Sequence, residues 1–241
     1  MARDIAVTTS SGATAPSVAL TAFGGVIALA RKFPLLAEAR TRKSWEPLIG
    51  DRAPRDVRGQ TAIIIGLGPI GQEITRLLTT IAIRVIGVHR TNTPVPGCDS
   101  TIPYGDIDGV LPHADSLILA CPLTDLTRRL IDARRLSLLP RGAHMVNVGR
   151  GGVVVDRDLV EALKSGHIES AFLDVFEQEP LPTDSPFWTM PNVIMTPHSA
   201  SHSSAAYDNV GDIFLDNLAR WRDGQPLRNI LAARTTPAPG A

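Results

Sequence analysis

From Gln60 to Met195 short apolar runs alternate with amphipathic segments, and the first junction between them reads Gly66-Leu67-Gly68-Pro69-Ile70-Gly71. The apolar runs, Thr61–Ile65, Arg84–Val88, Ser116–Ala120, His144–Val148, Ala171–Leu173 and Val193–Met195, have the length and bulk of buried strands. Helical periodicity falls between them, at Ile70–Thr80, near Ile107–Leu111, at Asp132–Leu139 and at Asp158–Lys164, where Gly166 supplies a stop. A long helix, Tyr207–Arg222, closes the series and ends near Gly224. Strands of this kind need cover on both faces, so the pattern predicts an α/β fold with a doubly wound parallel sheet.

The 241 residues suit one large domain, or one domain with a small appendage, and a 44% hydrophobic content leaves ample material for a core. Lysine plus arginine equals aspartate plus glutamate at 24 each, which argues against a nucleic-acid partner. Cys98 and Cys121 are too few for a disulfide framework, so a reducing, cytoplasmic setting is the expectation. Residues 5–30 carry no charge, a length that would allow a membrane span. Their polar front and their glycines favour a buried helix from about Ser17 to Phe33 instead, and no membrane role is expected. Its Ala/Gly-rich surface would also suit a close helix contact in a dimer. Arg40–Arg58, rich in charge and proline, reads as a connector.

In an open parallel sheet, ligands bind beyond the carboxyl ends of the strands. The unusual residues collect there: Gly66 after the first strand, His89 and Arg90 after the second, Cys121 and Pro122 after the third. Gly149, Arg150 and Gly151 follow the fourth, Asp174 the fifth, and Pro197 and His198 the last. In the glycine motif, Gly66 permits a tight turn, Gly68 lets the backbone approach a pyrophosphate, and Gly71 lets helix and strand pack closely. Pro69 and Ile70 open the helix whose free N–H groups favour the anion. NAD-specific sites usually place an acidic residue after the second strand. His89 and Arg90 stand there instead, so an arginine fork is available to a 2′-phosphate and NADP is preferred over NAD.

Reducing a 2-oxo acid requires a cation for the carboxylate and carbonyl, and an acid to protonate the oxygen. Arg150, on a glycine-flanked loop, suits the first role, and His198 the second. Glu179 would orient the imidazole and favour its charged form. Each has a plainer reading: a helix-end salt bridge for Arg150, a surface residue before Pro180 for Glu179, a turn histidine for His198. His113, His144, His167 and His202 are assigned such plain roles, and no cluster has metal-ligand spacing.

These motifs in this order resemble the D-2-hydroxyacid dehydrogenases, which include phosphoglycerate dehydrogenases and glyoxylate/hydroxypyruvate reductases. The likeness is carried by Gly66–Gly71, by Cys121-Pro122-Leu123-Thr124 with Thr127 and Leu130-Ile131, and by Asn147–Gly151. It continues through Leu173–Phe176, Glu179–Pro182 and Thr196-Pro197-His198. The resemblance implies a Rossmann-like coenzyme domain with Arg150, Glu179 and His198 as its catalytic residues. It places Cys121, Val148, Gly149, Arg150 and Asp174 against the nicotinamide end. Pro122, Thr127, His198, Ala200 and Ser201 complete the cofactor site expected on this likeness. It also implies a homodimer through the first helix and the region of Arg42 and Trp45, and a small 2-oxo or 2-hydroxy acid as substrate. His89, Ala82 and Ser170 depart from the pattern, the last two standing where glycines are common.

The largest departure lies at the front, where about a hundred residues of a flavodoxin-like substrate domain are expected and not found. On this likeness residues 1–11 are its remnant and 12–200 form the dinucleotide-binding domain. Residues 201–232 hold a helix normally packed on the substrate domain, and 233–241 a disordered tail. The helix's apolar residues Val210, Ile213, Phe214, Leu218 and Trp221 are then expected to lie partly bare. Two functions remain open: a hydride-transferring oxidoreductase, or a cofactor-binding module of the sensor or corepressor kind. The full Arg150–Glu179–His198 set favours the first, the shortened front the second.

Overall fold

Along the first strand Ile63 and Ile65 join one apolar cluster while Ala62 and Ile64 join another, the period-2 signature of a strand buried on both faces. The computed structural model describes residues 5–50 and 53–231. The expected disordered tail, 233–241, lies outside them, as do the first four residues of the expected remnant.

Seven strands form one sheet: β1 (Thr61–Ile65), β2 (Arg84–His89), β3 (Ser100–Pro103), β4 (Ser116–Leu119), β5 (Ala143–Asn147), β6 (Ile168–Leu173) and β7 (Val193–Met195). Their order is β3-β2-β1-β4-β5-β6-β7, and every pairing is parallel. The helices are α1 (Ala15–Ala30), α2 (Phe33–Thr41), α3 (Pro69–Thr79), α4 (Ile107–Val110), α5 (Ala133–Leu138), α6 (Asp156–Lys164) and α7 (Ala206–Arg222). Val18, Ala22, Val26 and Leu29 of α1, with Ile74 and Leu78 of α3, close over Ile64, Ile118, Val146 and Phe172. Leu136 of α5 and Leu159 and Leu163 of α6 cover the other face, against Ile65, Leu117 and Met145.

Two elements depart from the sequence reading. The first helix stops at Ala30, Lys32 adopts φ 56°, and α2 follows with a proline in its first turn, so the supposed connector begins as helix. β3 was not expected: it is polar and carries Pro103, features tolerated at a sheet edge that bonds only on one side. Ala82, one of the departures noted above, has φ 59°, a left-handed conformation that glycine adopts without cost.

The described residues form two compact units: Ala15–Ser201, which holds the sheet, and residues 5–14 with 202–231. In the second, Thr8 bridges Ile230 and the Asn229 side chain donates to the Ser11 carbonyl. On α7, Val210, Phe214, Leu218 and Trp221 are exposed, while Ile213 is half-buried. Among the described residues no single helix is long and apolar enough to cross a membrane.

Candidate active site at the carboxyl rim of the sheet

The strand order reverses between β1 and β4, and the crevice at such a switch point is where an open sheet binds ligand. Gly66 ends β1 there with φ 100°, and a Cβ on it would sit 2.7 Å from the Cys121 backbone. A Cβ on Gly71 would sit 1.9 Å from the Gly66 carbonyl oxygen, so the turn closes only with glycines at both places. At Gly68, the residue before α3, the space outside the backbone is open for 4 Å. The turn thus leaves a bare helix N-terminus with Pro69 and Ile70 behind it, a shape that fits a pyrophosphate. The Gln72 side chain donates to the Leu67 carbonyl and braces the turn at 2.9 Å.

At the end of β2, His89 is half-buried and Arg90 is exposed. Among the described residues no carboxylate pairs with the Arg90 guanidinium. It lies near Tyr104, whose phenol is pushed up to about 12, chiefly by burial. Cys121 is buried after β4, and loss of solvent raises its thiol to about 11, so it is neutral at ordinary pH. Thr127 is buried as well. Its hydroxyl donates to the Pro122 carbonyl at 2.6 Å and accepts from the Thr124 amide at 2.8 Å, so it shapes the 122–127 loop.

The third region is built around Arg150, Glu179 and His198. Asn147, at the end of β5, accepts the Gly149 amide at 3.1 Å and donates to the Arg150 carbonyl at 3.3 Å, turning the chain so that Arg150 points outward. Val148 and Gly149 are buried beneath it. A Cβ on Gly151 would overlap the Phe176 carbonyl at 1.8 Å, so glycine lets the Arg150 loop abut the loop carrying Glu179. The Phe176 amide donates to Glu179 Oε1 at 3.0 Å, and His198 Nδ1 meets Glu179 Oε2 at 2.7 Å. Burial pushes the Glu179 carboxyl up, but the hydrogen bonds from His198 and Phe176 and the charges of His198 and Arg150 outweigh it and hold it below its ordinary value. With Nδ1 committed, Nε2 of the imidazole is left for a ligand. Arg150, Glu179 and His198 together line one cavity of about 490 Å³.

Asp174 organises the loop that carries His198. It is 2% exposed, and Oδ1 accepts the Thr196 hydroxyl at 2.6 Å and the Ser199 amide at 2.8 Å. The Ala200 amide reaches both its oxygens at 3.1 Å, and the Asp174 carbonyl accepts the His198 amide at 2.9 Å. The carboxylate therefore clamps the 196–200 loop and holds His198 at φ 51°, a conformation costly for a residue with a Cβ. From the other side α1 fastens the same loop, with Thr21 donating to the Ala200 carbonyl and Ser17 to the Ser201 carbonyl. Asn147, Phe176 and Thr196 were quoted from the sequence without roles; the Asn147 amide group, the Phe176 backbone N–H and the Thr196 hydroxyl supply hydrogen bonds that shape the loops, which leave no signal in composition.

Residues 23–200 match the family model described as D-isomer specific 2-hydroxyacid dehydrogenase, NAD binding domain. A D-isomer specific 2-hydroxyacid dehydrogenase from Xanthobacter autotrophicus Py2, crystallised with NADPH and MES, superposes with a TM-score of 0.83. It is 34% identical, over 95% of this chain and 93% of that one. An NADPH-dependent glyoxylate/hydroxypyruvate reductase from Sinorhizobium meliloti, in complex with NADP and sulfate, also gives 0.83, at 29% identity over 95% and 72%. A glyoxylate/hydroxypyruvate reductase B from Enterobacter sp. is 35% identical over 215 residues, 88% of this chain and 66% of its own length. Across curated relatives the matched span runs from 43% to 71% of their length.

Proposed function

The chain belongs to the D-isomer specific 2-hydroxyacid dehydrogenases, and on that premise we propose that it reduces a small 2-oxo acid of the glyoxylate or hydroxypyruvate kind with NADPH. The observation that carries this is the 2.7 Å contact of His198 with Glu179 at the wall of the cavity that Arg150 also lines. The bound dinucleotide supplies a hydride to the carbonyl carbon. Arg150 holds the substrate carboxylate and draws electron density toward the carbonyl oxygen. His198 gives its Nε2 proton to that oxygen, and Glu179 stabilises the imidazolium beforehand and fixes its orientation. The carboxylate of Asp174 keeps the imidazole in reach.

Arg90 is the 2′-phosphate ligand in this proposal, supported by its lack of a carboxylate partner among the described residues and by the NADPH and NADP described with two similar enzymes. Fluorescence titration of the chain with both dinucleotides checks this directly. NADPH is expected to bind more tightly than NADH, and Arg90→Ser to cut the NADPH affinity roughly tenfold while sparing NADH. Tighter binding of NADH removes Arg90 from the site. Loss of absorbance by NADPH on adding hydroxypyruvate or glyoxylate tests the reaction itself. No oxidation with either acid would refute the reductase assignment.

A further inference from the structure

We propose that Asp156 and Glu177 are positioning residues: their reciprocal hydrogen bonds set the Glu179 loop against the Arg150 loop and so hold the imidazole of His198 in register with the guanidinium. This rests on the function proposed above and adds two residues to its machinery. Both act through Glu179.

The two loops meet backbone to backbone. A Cβ on Gly151 would stand 1.8 Å from the Phe176 carbonyl and 2.5 Å from the Glu177 amide nitrogen. Beside that contact the Asp156 amide donates to Glu177 Oε2 at 2.9 Å, and the Glu177 amide donates to Asp156 Oδ2 at 3.0 Å. Each residue gives its backbone donor to the other's carboxylate, a closed ring that keeps either segment from sliding along the other. Asp156 is the first residue of α6, where an amide has no acceptor within the helix, and Glu177 supplies one. Glu177 also lines the cavity of Arg150, Glu179 and His198, so a shift of the pair is felt at the site.

The two loops are not equally fastened. The Arg150 loop has its own support on the far side. There the Gly152 carbonyl accepts the Arg129 amide at 2.8 Å, the Val155 amide donates to the Ile131 carbonyl at 2.9 Å, and Ile131 bridges Val154. The Glu179 loop lacks such support. Phe176 anchors its beginning in the core. Beyond that, among the described residues, 175–181 hydrogen-bond to other segments only through Glu177 to Asp156 and through Glu179 to His198. Without the first attachment, Glu179 is held by the very imidazole it has to orient.

The pair is not there for charge. Two carboxylates stand side by side, and the nearest arginine in sequence, Arg157, pairs with Asp158 instead at 3.5 Å. Burial pushes the Asp156 carboxyl up to about 6; the Glu177 amide opposes that rise and the Glu177 charge adds to it. A carboxyl kept where its charged form is disfavoured serves through the hydrogen bonds it accepts.

Steady-state reduction of hydroxypyruvate by NADPH, compared between the native chain and its variants, tests the pair. Asp156→Ala with Glu177→Ala removes both bonds and is expected to lower kcat roughly 10–100-fold, the scale of a small misplacement of reacting groups. NADPH affinity by fluorescence titration should stay unchanged, because the glycine turn is untouched. Each single alanine removes one bond and should lower kcat less. Asp156→Asn with Glu177→Gln keeps both acceptors without the charges and should restore most of kcat. A second measurement does not depend on turnover. Long-range nitrogen NMR of the His198 ring, identified by its absence in His198→Gln, should show the neutral imidazole protonated at Nδ1 in the native chain, and that preference weakened in the double alanine variant. An unchanged kcat in the double alanine variant, an Asn/Gln pair that fails to restore it, or NADPH affinity lost in step with kcat each overturns the proposal. If the native chain reduces no 2-oxo acid, the reductase reading falls by itself, and the Nδ1 signal decides the pair: the same signal in the alanine variants overturns it. Should the double variant not fold, the two single variants are read in the same way.

Discussion

The two ends of the sheet use the same residue types to opposite effect. At the amino ends of the strands His144 is 3% exposed, its Nδ1 lies 2.9 Å from the Ser170 hydroxyl, and loss of solvent drops its pKa to about 4. Around it the charges cancel in pairs: Lys32 with Glu169 at 3.0 Å, and Arg55 with Asp115 and Glu169, each at 3.7 Å. At the carboxyl ends, His198 has a side chain 46% exposed and one nitrogen committed. Arg90, Arg128 and Arg129 there have no carboxylate partner among the described residues. One end is saturated, and the other is left with unmet hydrogen-bonding and charge capacity. Function belongs where the polar groups are positioned but not satisfied.

Matching substitutions of the two histidines should break the comparison if it is wrong. His198→Gln is expected to lower the rate of hydroxypyruvate reduction by about 10²–10⁴-fold, the usual worth of a positioned proton donor, with little change in urea midpoint. His144→Gln should do the reverse, lowering the midpoint while the rate per folded molecule stays unchanged. Equal rate losses in the two variants would mean that the rim is not special.

Acid should separate the ends as well. His144 falls from an ordinary 6.5 to about 4 because burial penalises its charged form, with Glu169 and Asp115 opposing and Arg55 and Lys32 adding to the shift. The unfolded chain therefore binds a proton between those values that the folded chain refuses. The stability this group contributes is complete above pH 6.5 and is lost as pH falls toward 4, by about 3 kcal/mol. Urea unfolding at a series of pH values should show that loss in the native chain and a shallower one in His144→Gln. Parallel pH profiles for the two proteins would mean that His144 is not the buried neutral group described here.

What could be read from the sequence follows the same division. The glycine turn was legible because its demands are steric and local: Gly66 and Gly71 stand where any Cβ would meet backbone. The strands of the core were legible because isoleucine, leucine and valine runs repeat along them. β3 was not, since its polar residues and Pro103 carry no apolar period, and α2 was hidden behind the break at Lys32. Within the site, Arg150, Glu179 and His198 stood out by type and position after strand ends. Asp174 was noticed at the rim, but its hold on the 196–200 loop was not: a chain of letters does not show that three donors converge on one carboxylate.

The smallest expected effect concerns strain, which both ends contain. His198 at φ 51° and Ala82 at φ 59° each hold a left-handed conformation with a Cβ present, at a cost of about 1–2 kcal/mol. At the rim that cost is met by the Asp174 clamp and aims an imidazole into the cavity. Ala82 lies just before β2, at the amino end of the strands, and its strained conformation positions no reactive group. Glycine at either position removes the clash but makes the unfolded chain more flexible, so the net gain should be about 1 kcal/mol or less. Ala82→Gly is thus expected to raise the urea midpoint slightly and leave reduction unchanged. His198→Gly should gain less stability, since the contact with Glu179 goes with the side chain, and should abolish reduction. If Ala82→Gly slowed the reaction as well, strain at the amino ends would be coupled to the site, and the division between a satisfied end and a working end would have to be given up.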